Sequence, residues 1–169
     1  MRVLAGRFKS LSVNTSNKLS YRPTKSRVRK SLFDKLSPFK YDTVLDLFSG
    51  SGIMGFESAS RGASAVTFVE KNHKSISLLK ENAQRLVGPK FEIIQSDVLK
   101  FLKDESAYDL IFADPPYGKF DLATLAESIL EHLNKGGKFI LECERNQDPI
   151  LDSDFADYGN TRLLTWTKQ

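Results

Sequence analysis

Short apolar segments alternate with amphipathic segments along most of this chain. The segments 43–48, 65–70, 91–97, 108–114 and 138–144 have the length and composition of buried β-strands. Between them, apolar residues recur at the three- and four-residue spacing of a helix face. Continuous apolar strands separated by amphipathic helices are typical of a parallel sheet with helices on both faces. The sequence therefore predicts a doubly wound, mainly parallel α/β fold, which the C-terminal residues can extend by one or two antiparallel edge strands.

The length and composition exclude several classes of protein. A chain of 169 residues, 40% of them hydrophobic, is expected to form one domain with its own core. It lacks the pattern of a signal peptide, and its longest apolar runs are too short to cross a bilayer. A single cysteine, Cys143, excludes a disulfide framework and a cysteine-rich metal site. We therefore expect a soluble, cytoplasmic protein without a membrane partner or a metal.

Positive charge is concentrated at the N-terminus. Residues 1–40 carry eleven Lys and Arg against one acid, Asp34, whereas residues 41–169 carry fourteen against twenty acids. The net charge of +4 therefore combines +10 in the first segment with −6 in the second. A basic segment joined to an acidic body indicates a polyanionic partner, although a solvated basic tail is the simpler alternative.

The basic segment has the pattern of a folded extension. "MRVLAG" and "FKSLSV" flank a glycine with alternating residues, as a β-hairpin does. Thr24 is a good N-cap for a following helix, which Pro38 ends. The apolar face of that helix consists of Val28, Leu32, Phe33 and Leu36. We therefore predict a small basic hairpin–helix extension at 1–40 and a second domain at 41–169.

The first apolar segment leads into "GSGIMG", Gly50 to Gly55, which is a literal G-x-G-x-x-G. Such a turn binds the pyrophosphate of NAD or FAD at a helix N-terminus. Here, however, Asp46 lies four residues before the turn, and Glu70 and Asp97 end later strands. Carboxyl ends of parallel strands meet at one rim, so Asp46 would repel a pyrophosphate, whereas Glu70 suits the ribose hydroxyls of either cofactor. The sulfonium, ammonium and ribose hydroxyls of S-adenosylmethionine suit carboxylates, and we favour that cofactor, although Glu70 and Asp97 could equally be helix N-caps.

The fourth predicted strand ends in "DPPYG", Asp114 to Gly118. Two prolines after a strand can be a stiff turn and nothing more. Their position beside the expected methyl donor resembles the D/N-P-P-Y/F/W amino-methyltransferases, which methylate nitrogen conjugated to a π system. In such a site the Asp114 carboxylate and the Pro115 carbonyl would accept the two N–H bonds of the amine and stabilise its developing charge. Tyr117 would stack on the base.

This mechanism needs neither a histidine nor a metal. His73 and His132 both fall in predicted helices, and we expect them at the surface.

Further segments narrow the resemblance. "LDLFSGSGIMGFESASRGA" (45–63), "VEKN" (69–72) and "RPTKSRVRKSLFDKL" (22–36) look like the RsmD family of bacterial 16S ribosomal RNA guanine-N2 methyltransferases. The resemblance covers about residues 2–144. It implies a Rossmann-like fold, S-adenosylmethionine as cofactor and S-adenosylhomocysteine as product. The implied substrate is the exocyclic N2 of a guanine in small-subunit ribosomal RNA, within an assembling particle, and the implied enzyme is a monomer.

The motifs and the resemblance together imply three groups of site residues. The expected cofactor-binding residues are Asp46, Phe48, Gly50, Gly52, Glu70, Lys71, Asp97, Val98 and Asp114. The expected catalytic residues are Asp114, Pro115, Pro116 and Tyr117. The residues expected to contact RNA phosphates are Arg22, Lys25, Arg27, Arg29 and Lys30.

Other functions stay open at this point. The motif also fits methylation of adenine N6 or cytosine N4, although a DNA enzyme normally needs a large target-recognition domain that 169 residues cannot hold. Methylation of protein glutamine is another possibility, but those enzymes typically read Asn-Pro-Pro-Tyr. A non-catalytic RNA-binding assembly factor on the same scaffold is the alternative from a different class.

Overall fold

The fold is that of a computed structural model, which describes residues 1–15, 26–104 and 106–169. The strands in these ranges are β1 (Thr43–Leu47), β2 (Ala65–Glu70), β3 (Lys90–Gln95), β4 (Tyr108–Ala113), β5 (Leu133–Glu144), β6 (Asp154–Tyr158) and β7 (Thr161–Thr167). The helices are α1 (Ser26–Lys35), α2 (Ile53–Arg61), α3 (His73–Ala83), α4 (Val98–Phe101) and α5 (Leu122–Leu130).

The strands form one sheet in the order β3-β2-β1-β4-β5-β7-β6. Strands β1 to β5 run parallel, and β7 runs antiparallel to both β5 and β6. The predicted doubly wound, mainly parallel fold is therefore confirmed, with β6 as an edge strand and β7 inside the sheet. The strand order reverses between β1 and β4, and open α/β sheets bind their ligands at such a reversal.

The predicted end of α5 is wrong. The spacing of Leu122, Leu125, Ile129 and Leu133 predicts a helix that Gly136-Gly137 closes, but the helix stops at Leu130 and Leu133 begins β5 by pairing with Tyr108. His132, just before β5, is buried rather than at the surface. Its Nδ1 lies 2.7 Å from the Ser106 carbonyl, so the imidazole fixes the turn that leads into the strand.

The predicted N-terminal hairpin is reduced to a loop with one antiparallel bridge, between Arg2 and Ser12. The loop packs against α2 and does not form two paired strands. Arg7 N–H donates to the Ser60 carbonyl at 2.7 Å. A Cβ on Gly6, which has φ +82°, would lie 1.9 Å from the same oxygen, so only glycine permits this close approach.

Helix α1 packs against the sheet through the predicted apolar face. Val28, Leu32, Phe33 and Leu36 are all buried. The Phe33 ring lies 5.8 Å from the ring of Phe112 in β4. At the other end of the chain, the Tyr158 hydroxyl lies 2.9 Å from the Ser31 hydroxyl, so the C-terminal hairpin also holds this helix. The predicted N-cap, Thr24, lies outside the described residues.

Apolar side chains from both predicted parts of the chain share one core. Val3, Val13 and Val28 belong to the same buried cluster as Val44 and Phe112. The division of the chain into an extension at 1–40 and a domain at 41–169 remains a prediction from the sequence. Among the described helices, none has both the length and the hydropathy that a membrane crossing requires.

A buried carboxylate, Glu57 of α2, joins the N-terminal segment to the rest of the molecule. Its oxygens accept hydrogen bonds from the backbone N–H groups of Leu4 (2.7 Å) and Ala5 (3.2 Å) and from Arg61 Nε (2.8 Å). Arg29 Nε of α1 lies 3.7 Å away, and both partners are almost fully buried. Burial lowers the pKa of Arg29, and the Glu57 charge opposes that shift.

The placement of Arg29 contradicts its predicted role. Its side chain is 1% exposed, and its Nη2 donates to the Arg2 carbonyl at 2.7 Å. A guanidinium enclosed in this way cannot reach an RNA phosphate. The prediction failed because Arg29 follows Val28 directly and a helix turns only about 100° per residue, so it lies at the border of the apolar face.

Replacing Glu57 with Gln should destabilise the fold strongly. The substitution removes the only charge that the structure pairs with Arg29 among the described residues, and it leaves a buried cation behind. We expect the free energy of unfolding to fall by about 3–5 kcal/mol in urea titrations followed by circular dichroism. The control is Asp34→Asn, which breaks the exposed Lys30–Asp34 pair and should cost less than about 1 kcal/mol. Equal losses in the two variants would contradict this role of Glu57.

Candidate active site

The glycine turn between β1 and α2 needs its glycines for close packing. Gly50 and Gly52 have φ values of +51° and +72°. A Cβ on Gly52 would lie 2.3 Å from Leu79 Cδ2, and one on Gly55 would lie 2.3 Å from Phe68 Cε1. The glycines thus let α2 and α3 approach the sheet, which is a structural reason for the G-x-G-x-x-G spelling.

Three backbone N–H groups of this turn donate hydrogen bonds to acceptors within the protein. Gly50 N–H donates to Glu70 Oε2 at 2.9 Å, and Gly55 N–H donates to Asp46 Oδ2 at 3.0 Å. Gly52 N–H donates to the Ser49 carbonyl at 2.7 Å. In a dinucleotide site these donors would face a pyrophosphate. Carboxylates occupy that place here, which fits a ligand with positive charge and hydroxyl groups.

Asp46 lies on β1 beneath the turn and is 4% exposed. Burial raises its pKa to about 8, partly opposed by the hydrogen bond from Gly55 and reinforced by the nearby charge of Glu70. A carboxyl in this state is poised to ionise when a cation binds beside it.

The other acids at this rim have separate contacts. Glu70 ends β2, and its second oxygen accepts the N–H of Asn72 at 2.7 Å. The N-cap of α3 is Asn72, so Glu70 is not that cap. Asp97 does cap α4 by accepting the N–H of Leu99 at 2.9 Å. Its neighbour Val98 is buried.

Two further predicted cofactor residues differ in their surroundings. Lys71 is exposed directly after β2. Phe48 has φ +55°, a left-handed conformation that a bulky residue rarely adopts. Its ring meets the Phe120 ring edge to face, 5.1 Å between centroids. This contact joins the glycine turn to the loop after β4.

The Asp-Pro-Pro-Tyr segment follows β4 directly, on the strand next to β1. Pro115 is buried, Pro116 is exposed, and Tyr117 is half-buried. Pro115, Tyr117 and Phe120 line a cavity of about 240 Å³. The segment thus borders a space open to a ligand, at the point where the strand order reverses.

Glu142 of β5 is a site residue that the sequence analysis missed. It is 9% exposed and lines the same cavity as Tyr117. It also lines a smaller cavity of about 30 Å³, together with Asp46, Asp114 and Leu32 of α1. The signal that could have found it is the rule already applied to the other strands, because β5 too ends in acids, at Glu142 and Glu144.

The predicted RNA-contacting residues are only partly placed. Arg27 and Lys30 are exposed on α1, and Lys30 Nζ lies 2.7 Å from Asp34 Oδ2. Arg22 and Lys25 lie outside the described residues. Leu32, on the buried face of the same helix, lines the small cavity beside Asp114, so α1 packs next to the candidate site.

Comparison with known proteins gives the family. The family described as Conserved hypothetical protein 95 matches residues 1–161. The chain is 38% identical over 165 residues to ribosomal RNA small subunit methyltransferase D of Haemophilus influenzae, covering 92% of this chain and 85% of that protein.

Solved structures share the architecture. A hypothetical protein of Thermus thermophilus has a TM-score of 0.86 and 30% identity, covering 98% of both chains. A 16S rRNA N2 methyltransferase of the same species, RsmC, was solved with AdoMet and guanosine. It has a TM-score of 0.70 over 90% of this chain and 45% of its own, and its 22% identity supports a common fold alone.

The family match spans nearly the whole chain, and the relative from Haemophilus influenzae is aligned over most of its length. The membership that the N-terminal and glycine-turn motifs predict is therefore confirmed. The chain belongs to the Conserved hypothetical protein 95 family, together with ribosomal RNA small subunit methyltransferase D.

Proposed function

We propose that the chain transfers a methyl group from S-adenosylmethionine to the exocyclic N2 of a guanine in small-subunit ribosomal RNA. The observation that carries this proposal is the Asp114–Tyr117 segment. Asp114 lines a small cavity together with Asp46 of the strand that leads into the acid-lined glycine turn, and Pro115 to Tyr117 line a larger open cavity. Membership of a family that includes small-subunit ribosomal RNA methyltransferases supports it.

The cofactor would lie at the carboxyl ends of β1 and β2. Two carboxyl groups, those of Asp46 and Glu70, contact the turn, which suits the ammonium, sulfonium and ribose hydroxyls of S-adenosylmethionine. The predicted cofactor residues fall into two sets. Asp46, Gly50, Gly52 and Glu70 would form the turn and its acids, and Phe48, Lys71, Asp97, Val98 and Asp114 would flank them. The AdoMet complex of RsmC, which shares the fold, supports this choice of cofactor.

Methyl transfer requires that the target amine become more nucleophilic. The lone pair on guanine N2 is delocalised into the ring, and acceptors aimed at its two N–H bonds favour a tetrahedral nitrogen. Asp114 and the Pro115 carbonyl would supply those acceptors, Pro116 would fix that backbone, and Tyr117 would stack on the base. The N2 lone pair then attacks the methyl carbon, the C–S electrons return to sulfur to give S-adenosylhomocysteine, and N2 loses a proton.

Helix α1 would hold the RNA beside this site. Its apolar face is buried and its exposed face carries Arg27 and Lys30, so these two cations can contact phosphates while Leu32 packs near Asp114. We propose that Arg22 and Lys25, which lie outside the described residues, also contact phosphates. We also propose that the substrate is the RNA within an assembling small subunit and that the protein acts as a monomer.

A side-by-side assay tests the function. Purified protein and radiolabelled S-adenosylmethionine are incubated with undermethylated small-subunit particles, free 16S rRNA, duplex DNA and total cell protein. We expect label in RNA, recovered as N2-methylguanosine after digestion to nucleosides. Label in adenine, cytosine, DNA or protein would identify one of the other amino-methyltransferase activities, and no label with intact cofactor binding would favour a non-catalytic assembly factor.

Cofactor binding should be linked to the ionisation of Asp46. Because burial raises its pKa to about 8, the carboxyl holds its proton at lower pH in the free protein. A cationic ligand favours the ionised form, so binding expels the proton and affinity rises with pH until about pH 8. We expect calorimetry to show tightening by up to roughly tenfold per pH unit below that point. In Asp46→Asn only the ionisation of the ligand remains, so the affinity of this variant should depend less on pH. A pH profile of affinity identical to that of the wild type would refute the linkage.

Asp114 should act on the target amine more than on the cofactor. Asp114→Ala is expected to leave S-adenosylmethionine affinity nearly unchanged while single-turnover methyl transfer falls by about 10²–10³-fold. Tyr117→Ala removes a stacking surface that contributes about 1–3 kcal/mol, whereas the matched Tyr117→Phe keeps the ring and should be mild. If Asp114→Ala transferred methyl groups at the wild-type rate, the Asp114–Tyr117 segment would be only a stiff turn.

The exposed cations of α1 should set the salt dependence of RNA binding. Replacing Arg27 and Lys30 with Ala is expected to lower the slope of log K against log salt by roughly 0.7–0.9 for each phosphate that the protein no longer neutralises. Filter binding at several salt concentrations measures the slope. The control is a double variant at two exposed lysines of the opposite rim of the sheet. Lys103 precedes the start of β4 and Lys135 follows the start of β5, so replacing both removes the same amount of charge. The same slope change in both double variants would mean that only net charge matters.

A further inference from the structure

We propose that Glu142 selects guanine as the target base, by accepting a hydrogen bond from its N1–H. This inference rests on the proposed methyl transfer to guanine N2 and assigns a specificity-determining residue to it. It starts from the position of Glu142 rather than from any sequence motif.

Strand register places Glu142 beside Asp114. Ala113 of β4 pairs with Leu141 of β5, so the next residue on each strand is Asp114 and Glu142. Both line the small cavity under α1, which puts their side chains on the same face of the sheet. Glu142 also borders the larger cavity beside Tyr117, so it spans the two spaces. A base stacked on Tyr117 would therefore lie in a cavity that Glu142 also lines.

Interior strands hold Glu142 in place. On one side β5 pairs with β4, and on the other Glu142 itself is in register with Leu163 of β7. A carboxylate at a fixed position discriminates better than one on a mobile loop, because its hydrogen-bond geometry is set before the ligand binds.

The chemistry of the bases gives this carboxylate a selective role. The Watson–Crick edge of guanine presents a donor at N1 beside the reacting amine, and a second carboxylate can accept it. Adenine and cytosine present ring-nitrogen lone pairs beside their amines, and a carboxylate repels these. Asp114 cannot supply this distinction, because an acceptor for the reacting amine suits all three bases. A second acceptor aimed at the ring nitrogen is what a guanine enzyme requires.

Nucleoside binding tests the inference without depending on catalysis. Guanosine and 2-aminopurine riboside both carry the 2-amino group, but only guanosine has N1–H. With S-adenosylhomocysteine bound, we expect the wild type to bind guanosine about 10–100-fold more tightly, measured by NMR titration. Glu142→Gln should lose most of that preference, while its S-adenosylmethionine affinity stays the same. Its kcat/KM for RNA methylation should fall by about 10–100-fold.

Two further variants complete the design. Glu92→Gln makes the same change at an exposed glutamate of β3, at the opposite edge of the sheet, and should keep wild-type preference and rate. Glu142→Asp keeps the charge and should keep the preference for guanosine, which covers the case in which Glu142→Gln does not fold.

The outcomes separate this inference from the proposed function. A wild type that methylates guanine in RNA but binds the two nucleosides equally would overturn the role of Glu142 alone. The same holds if Glu142→Gln keeps the full guanosine preference. A wild type that transfers no methyl group to RNA would overturn the proposed function first, in an assay that does not involve Glu142 variants.

Discussion

The buried carboxylate of Glu57 is the contact on which the arrangement of this molecule depends. It binds the backbone at Leu4 and Ala5 and faces Arg29 of α1, so one side chain holds two separate parts of the N-terminal segment against α2. Helix α2 begins in the glycine turn. The same helix therefore sets the geometry of the proposed cofactor site and the position of the helix that we propose to bind RNA.

A second theme is the use of carboxylates as internal hydrogen-bond acceptors for a glycine-rich turn. Asp46 and Glu70 take N–H groups that a dinucleotide enzyme would leave for phosphate. The G-x-G-x-x-G sequence reflects only how closely α2 approaches the sheet. The same sequence therefore occurs in proteins that bind different ligands. The flanking acids carry the information about ligand charge, and they could be read from the sequence because strand ends meet at one rim.

The same reasoning explains what could be predicted from the sequence. Apolar strands, the face of α1 and the strand-end acids are local patterns, and the five parallel strands followed from them. The family followed from the resemblance of the segments 22–36, 45–63 and 69–72 to a known family. Arg29, His132 and Leu133 were misplaced because their surroundings come from distant segments: the partner of Arg29 is on α2, and His132 bonds a carbonyl 26 residues away. The acids near the end of β5 could have indicated Glu142, but its proximity to Asp114 depends on the pairing of β5 with β4, and local spacing does not encode that register.

The contact between Ser31 of α1 and Tyr158 at the end of β6 has a consequence for synthesis in the cell. Helix α1 precedes every strand of the sheet in the chain, yet its packing surface includes Phe112 of β4 and Leu163 of β7. During synthesis its apolar face therefore stays uncovered until β7 has been made. The packing of the helix beside the proposed active site would be completed only then, so a nascent chain could not act on RNA before β7 has left the ribosome.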